Sequence, residues 1–376
     1  MNIGFDGQWV VHNQTSRGNL NRNMISALAH AYPQNKYIIY SDIIEETRRL
    51  TSLLAHSSVM LKEPRHGLTY NWWRCGHGWS KDMKRHHIDI YHGLCGLLPM
   101  KKHGLRTHLV LSVSDLSVIY DGSQLGWWAR LKKKRLLRRS IKVAERIVVP
   151  SVWAKNELMS RLGVDESKID IVPPCVDTAF CNHAQEEAKH ALSTQLGLPE
   201  KFLLVMGPLD GHKHMLEMVR ALNELKDKNM CLVLVGKTTK YYRKVVQPYV
   251  ESHLLTDRVF HVKFLHTVDL PIVYQLATAV LCPAKHDLYS LSMLEAMSSG
   301  APVVVNANTM MASEAGSAVH VPADDSPASW ASAIDELLEN ESLRQSLMKQ
   351  GRDFAAQFTP EHTAQALKAC YDRLRE

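Results

Sequence analysis

The sequence predicts an α/β protein made of two doubly wound parallel-sheet domains. Three observations carry this. Short apolar runs rich in Val and Ile alternate with amphipathic stretches, and they do so in both halves of the chain. The length, 376 residues, fits two domains of ordinary size. Between Pro173 and Leu198 the alternation is interrupted by prolines and a polar, helix-like piece, "PPCVDTAFCNHAQEEAKHALSTQL". That segment divides the chain into an N-terminal domain, 1–178, and a C-terminal domain, 179–376.

In the first half, "MNIGFDG", "KYIIYS", "DIYHG", "HLVLSVSD", "RIVVPS" and "IDIVPP" read as strands, each ending in small or polar turn residues. "LNRNMISALAHAY" and "WWARLKKKRLLRRSIKVAE" carry apolar residues at helical spacing. In the second half the strands are "FLLVMG", "CLVLVG", "VFHVKF", "AVLCPA" and "PVVVN". The helices are "HMLEMVRALNEL", "DLPIVYQLA", "SLSMLEAMSS", "SPASWASAIDELLE" and "ESLRQSLMKQGRDFAAQF". Two such domains facing one another leave a cleft, and ligands in these folds lie beyond the carboxyl ends of the strands. The residues just after strands therefore hold the chemistry.

Composition narrows the class. At 45% hydrophobic and 22% charged residues, the chain reads as a soluble globular protein able to bury large cores. No apolar run approaches the roughly 20 residues of a membrane span. The opening "MNIGFDGQWVV" reads as a strand and not as a signal peptide. Seven Cys with no Cys-x-x-Cys argue against a disulfide framework or a zinc site and for a reducing, cytoplasmic setting. The net charge of +7 is uneven: residues 1–180 carry 26 Lys+Arg and 15 Asp+Glu, the remainder 19 and 23. A basic half of this kind suits solubility or an anionic partner.

The loop after "FLLVMG" runs Gly207 to Lys213 into a helix. Gly207 permits close backbone approach, and Lys213 stands near a helix N-terminus, where an anion is favoured. A solvated lysine beside a turn glycine fits this fragment equally well, and it is not a nucleoside-triphosphatase P-loop. Gly236 closes the next strand in the same way. The stretch "HDLYSLSMLEAMSSGAPVV" repeats the pattern, with Asp287 before a helix and Glu295 in its first turns. An ionised Glu295 accepts hydrogen bonds from a ribose diol, Asp287 reaches a sugar ring, and the helix-opening amides at Ser290 and Leu291 meet a diphosphate. Taken alone, two acids at this spacing read more readily as surface charges.

Taken together these segments resemble the family 4 retaining glycosyltransferases of the GT-B fold, over nearly the whole chain. The family's acid, seven intervening residues and Glu-Ala stands here as "DLYSLSMLEA", Asp287 to Ala296. "SGAPVVVNANTMMASEAGSAVHVPADD", "MGPLDGHKH", "VGKTTKYY", "DIYHGLCGLLP", "RIVVPSVWAKNELMSRLGVDESKIDIVPPCVD" and the opening "IGFDGQWVV" with "TSRGNLNRNMISALA" also resemble their counterparts. The resemblance implies two Rossmann-like domains facing a cleft, the first (1–178) binding the acceptor and the second (179–376) the nucleotide-sugar donor. It also implies a last helix packing back on the first domain. Lys213, Asp287 and Asp115 are implied as catalytic residues. Gly18, Gly207, Lys213, Gly236, Asp287, Ser290, Leu291 and Glu295 are implied as donor-binding, with Gly18 in a loop reaching the phosphates from the N-terminal domain. The implied reaction moves a hexose with retention, from GDP-mannose or a UDP-hexose, to a glycan or lipid-linked acceptor in surface-polysaccharide synthesis. It uses no protein nucleophile and no cofactor. No Asp-x-Asp occurs in the sequence, which fits metal-free donor binding.

Several positions depart from the family pattern. Asp287 replaces its first glutamate, Leu288-Tyr289-Ser290 its Gly-Phe-Gly, Ser292 its usual proline, Ser114 the histidine before Asp115, and Pro208 an arginine. A non-catalytic member that binds a sugar nucleotide or a partner is therefore the rival reading.

"GWWARLKKKRLLRRSIKVAE" has no acid between Asp121 and Glu145, and Leu131, Leu136, Leu137 and Ile141 share much of one helical face. This suits an anionic membrane surface contacted through 127–142, on the inner face of the membrane. A solvated helix packing its leucines on the domain is the plainer alternative. No nucleic-acid motif accompanies the charge, so nucleic acid is not expected as a partner, and a basic nucleic-acid-binding protein is the last alternative. "YNWWRCGHGW" supplies aromatics for core, acceptor site or membrane. "RHH" at 85–87 reads as surface.

Overall fold

Parallel strands covered by helices on both faces must be apolar on both sides, and the Val, Ile and Leu runs meet that demand. The computed structural model describes residues 1–13, 15–42, 48–64, 73, 78–99, 104–114, 116, 127–211, 214–284, 290–307 and 309–375. Among these, the chain divides into two units: Met1–Cys175 with Phe358–Glu376, and Val176–Gln357.

Unit 1 holds a seven-stranded sheet in the order β3-β2-β1-β4-β5-β6-β7. Its strands are β1 Asn2–Asp6, β2 Lys36–Tyr40, β3 Val59–Lys62, β4 Ile90–Gly93, β5 His108–Ser112, β6 Arg146–Val149 and β7 Ile169–Ile171. All pairs are parallel, with Ile3 opposite both Tyr37 and Ile90. The order reverses at β1 and β4. Only β3 escaped the reading of the sequence. It is an edge strand with Val59 alone buried, so it lacks the apolar run that marks the others.

Unit 2 holds a five-stranded parallel sheet, β10-β9-β8-β11-β12. Its strands are β8 Phe202–Met206, β9 Cys231–Val235, β10 Val259–Val262, β11 Ala279–Cys282 and β12 Val303–Val305. Here the order reverses between β8 and β11, which pair as Leu203 with Ala279 and Leu204 with Val280. β11 ends at Cys282, two residues short of the Ala284 that its apolar run suggests.

The helix Pro360–Asp372 belongs to unit 1 and packs against the helix Ser16–Ala31. Leu367, Cys370 and Tyr371 join the core formed by Ile3, Phe5, Ile25 and Ile90. Polar groups secure the seam. Thr363 Oγ1 donates to the Pro173 carbonyl at 2.7 Å. Asp170 on β7 takes two hydrogen bonds of 2.7 Å from Arg146 and one from Arg373. Burial pushes the Asp170 carboxyl up, but Arg146, Cys370 and Arg373 outweigh it and hold the group below its ordinary range.

Deeper in, the Tyr371 hydroxyl lies 2.8 Å from His92 Nδ1, and His92 Nε2 lies 2.8 Å from Ser112 Oγ. Burial lowers the His92 pKa to about 3, so the ring is neutral and this chain of bonds carries no net charge. Trp73 and Trp79 are also fully buried, which resolves two of the "YNWWRCGHGW" aromatics as core. His86, in the "RHH" run, faces inward enough for its Nδ1 to meet the Tyr40 hydroxyl at 2.8 Å.

Tyr371→Phe removes the hydroxyl and leaves His92 Nδ1 buried without its partner. A buried polar group left unsatisfied costs about 1–3 kcal/mol. Urea unfolding of the variant is expected to show a lower midpoint at unchanged slope. An unchanged midpoint would mean that the chain from Tyr371 to Ser112 contributes nothing.

Candidate functional site

In unit 2, the reversal of strand order at β8 and β11 opens a crevice beyond their carboxyl ends, the place where doubly wound sheets take ligands. Gly207 directly follows β8 and Gly236 directly follows β9. Both have left-handed φ, +125° and +144°. A Cβ on Gly236 would stand 2.0 Å from the Gly207 carbonyl oxygen. No side chain fits there, so glycine is required for the two strand ends to touch. Leu209 N–H donates to the Lys237 carbonyl at 3.3 Å, and Thr239 Oγ1 donates to the Leu209 carbonyl, tying the loops into one platform.

The helix Leu291–Ser298 follows β11 and is buried from Leu291 to Met297. Ser290 caps it: its hydroxyl accepts from Met293 N–H at 3.3 Å and meets Ser292 Oγ at 2.8 Å. By helix geometry the amides of Leu291 and Ser292, at the start, have no intrahelical acceptor.

Glu295 is not a surface charge, since only 4% of it is exposed. Its Oε2 accepts from the Tyr274 hydroxyl at 3.1 Å. Tyr274 is itself fully buried, on the helix Leu270–Leu276, with its ring 6.0 Å from that of Phe180. Burial pushes the Glu295 pKa up to about 8. The Tyr274 hydrogen bond opposes this, and the charge of Asp177 adds to it. At neutral pH the carboxyl therefore keeps its proton in the unliganded protein, in place of the ionised group that the sequence suggested. Tyr274 and Asp177 were not legible as neighbours of Glu295, because neither lies near it in sequence.

Gly18, expected in a loop, instead occupies the first turn of the helix Ser16–Ala31 in unit 1. A Cβ there would lie 2.0 Å from the Asn13 carbonyl oxygen. The glycine lets the Asn13 backbone fold onto the helix, and Arg22 Nη1 fastens the turn by donating to that carbonyl at 3.1 Å. Asp115, Lys213 and Asp287 lie outside the described residues.

Residues 188–354 match the family described as glycosyl transferases group 1, and residues 42–180 match glycosyltransferase family 4. The chain belongs to the glycosyltransferase superfamily. Among its relatives, the D-inositol 3-phosphate glycosyltransferase of Jonesia denitrificans is 30% identical over 235 residues, 58% of this chain and 55% of that one. The O-antigen chain mannosyltransferase RfbU of Salmonella typhimurium is 26% identical over 206 residues, 54% of this chain and 53% of its own. The chain thus spans little more than half the length of these relatives. Two solved structures align over nearly the whole chain. Anabaena Alr3699/HepE, in complex with UDP and glucose, gives a TM-score of 0.77 at 16% identity, over 99% of this chain and 100% of that one. WaaG, a glycosyltransferase involved in lipopolysaccharide biosynthesis, gives 0.73 at 15% identity, covering 98% of each. At these identities the likeness concerns the fold, which is GT-B.

A carboxyl whose pKa rises on folding contributes stability that is full below its unfolded value and is lost as pH climbs through the folded value. For Glu295 that window runs from the ordinary 4.5 to about 8. Glu295→Gln keeps an acceptor for Tyr274 and carries no proton to lose. The variant is expected to match the parent near pH 4.5 and to gain on it by at most about 1.4 kcal/mol per pH unit above that. Parallel pH dependences of the two urea midpoints would contradict the raised pKa.

Proposed function

We propose that this chain transfers a hexose from a nucleotide-diphosphate sugar to a glycan or lipid-linked acceptor, with retention, in the synthesis of a cell-surface polysaccharide. Unit 2 takes the donor and unit 1 the acceptor. The observation that carries this reading is the buried Glu295 carboxyl, seated behind the opening of a capped helix that follows β11 at the strand-order reversal. A ribose diol satisfies such a carboxyl, and the leading amides of the same helix suit a diphosphate. Relatives named as a mannosyltransferase and as inositol-phosphate glycosyltransferases support hexose transfer. The HepE complex with UDP and glucose supports a nucleotide-sugar donor.

In this reaction the acceptor hydroxyl bonds to the anomeric carbon as the bond to the diphosphate breaks, on the same face of the sugar. The hydroxyl proton leaves with the departing phosphate. The barrier then depends on how well negative charge on the diphosphate is stabilised. Lys213 and the amides of Leu291 and Ser292 serve that purpose, Gly207 and Gly236 admit the phosphates to the backbone, and Glu295 holds the ribose. Asp287 contacts the sugar and Asp115 acts as a catalytic residue, roles that rest on the family resemblance. No cofactor or metal takes part. The Trp127–Val143 helix contacts an anionic membrane surface from the cytoplasmic side, through residues 127–142.

One observation favours the rival, non-catalytic reading: the Ser290 hydroxyl already occupies Met293 N–H at the helix start, where the family pattern has a glycine. Hydrolysis of GDP-mannose or a UDP-hexose above background decides between them.

Calorimetry with UDP and GDP at pH 8.5, where Glu295 ionises, tests the donor site. A hydrogen bond to a charged group contributes about 1.5–3 kcal/mol, so Glu295→Gln is expected to weaken nucleotide binding roughly tenfold to a hundredfold. Parental affinity in the variant would remove the basis for the reading. Transfer is also expected to survive excess chelator, because no Asp-x-Asp is present to hold a metal. Loss of turnover that manganese restores would overturn that.

A further inference from the structure

The helix Trp127–Val143 and the next helix, Val152–Leu162, both finish at the amino edge of the unit 1 sheet, just before β6 and β7. The second helix stops at Gly163, whose φ of +62° turns the chain. Its N–H and that of Val164 return to the Met159 and Leu158 carbonyls at 3.1 and 3.4 Å. Between the two helix ends lies a groove of about 830 Å³. Six cations line it: Arg135, Arg138, Arg139, Lys142, Arg161 and Lys168. The acid in its lining is Asp165, whose carboxylate already accepts from Ser167 N–H at 2.9 Å.

Cations at helix C-termini offset the dipole, so the charge must be weighed against that ordinary role. Each helix end presents about half a negative charge. Arg161 is paired with Glu157 at 2.5 Å. Among the described residues, Arg135, Arg138, Arg139 and Lys142 pair with no carboxylate. After Asp165, Glu157 and both helix ends are set against the six cations, about three positive charges remain, more than the helix ends require. A solvated charged face spreads its charges outward, whereas these converge from two elements on one hollow.

The same helix carries a second feature. Trp127 and Trp128 at its start are 65% and 75% exposed. Trp128, Arg135, Arg139 and Lys142 follow one another at seven, four and three positions, which at about 3.6 residues per turn puts them on one stripe. Leu137, Ser140 and Ile141, the buried residues, lie on the other side. Leu131 and Leu136 are only half-buried, so the apolar face is narrower than the sequence suggested. Exposed tryptophans lie at headgroup depth in bilayers, and unpaired cations there attract lipid phosphate.

We propose that the groove between these helix ends is a phosphate-binding site, distinct from the donor site, whose occupant is the headgroup of a membrane lipid carrying more than one phosphate. The tryptophans fix the helix at the interface, and the surplus of about three charges selects a multiply charged headgroup over a singly charged one. The inference rests on the membrane contact proposed above and adds the headgroup and the residues that choose it. The lining of the groove lies wholly in unit 1 and includes none of the residues proposed to hold the nucleotide.

The test is co-sedimentation of the full chain with phosphatidylcholine vesicles at matched surface charge, containing either phosphatidylglycerol or cardiolipin, which carries two phosphates. The parent is expected to bind the cardiolipin vesicles at least about fivefold more tightly. Arg139→Ala with Lys168→Ala is expected to abolish that preference, so that cardiolipin binding falls at least about fivefold further than phosphatidylglycerol binding, which loses only the general attraction of the two cations. Lys132→Ala, on the same stripe but outside the groove lining, is expected to weaken both equally, by about fivefold for the 1 kcal/mol of one surface cation. Binding of both vesicles without preference, or a preference that survives in the double variant, overturns the groove and leaves the membrane contact standing. No vesicle binding by the parent overturns both. Displacement from cardiolipin vesicles by micromolar pyrophosphate would make free phosphate the ligand and overturn the lipid assignment. UDP binding, measured in the same double variant, is expected to be unchanged, and its loss would contradict a separate site.

Discussion

Adjacent parallel strands cannot be joined by a tight turn, because the chain leaves one at the far edge of the sheet and must enter the next at the near edge. Most of the architecture follows from this. Each crossover brings a helix onto a face, the central strands are buried on both sides, and strands such as Cys231–Val235 are apolar at every position. The loops also sort themselves. In each sheet, those that follow strands collect at the carboxyl edge, as Gly207, Gly236 and the Leu291–Ser298 helix do in unit 2. Those that follow helices collect at the amino edge, as the basic groove does in unit 1.

Within unit 2 the unusual element is a carboxyl held in an apolar helix. Leu291, Met293, Leu294, Ala296 and Met297 surround Glu295 in sequence and are all buried. Burial favours the neutral form, and a single tyrosine hydroxyl is too weak a partner to restore the charge. A group in this condition changes its state when a better set of donors arrives. In the proposed function, a ribose supplies those donors and the proton departs, so affinity for the nucleotide is linked to pH through one side chain.

The sequence was most legible where burial is complete. Continuous apolar runs located the central strands of both sheets, whereas the edge strand β3 shows only one buried residue and was passed over. Helix boundaries set by caps are close, as at Ser290, but the loop that the family resemblance implies at Gly18 is a helix turn. Its tight contact with the Asn13 carbonyl depends on a fold-back that no local pattern announces. The identity of Glu295 as a notable acid came from its spacing and from the family resemblance. Its burial and its partner Tyr274 did not, since they depend on how two helices meet. The basic helix was evident from composition alone, yet the groove needs Arg161 and Lys168, which the fold brings in from the following helix and turn.

The division of the chain has a further bearing, on the order in which the protein can be made. Unit 2 is one uninterrupted segment, Val176–Gln357, while unit 1 is assembled from Met1–Cys175 and Phe358–Glu376. A ribosome therefore delivers every residue of unit 2 before it delivers Leu367, Cys370 and Tyr371, which complete the core of unit 1. Until then His92 and Asp170 lack partners that lie 279 and 203 residues downstream. The first half to emerge is the last to close, and the nascent chain carries an unfinished basic domain while its acidic neighbour is already able to fold.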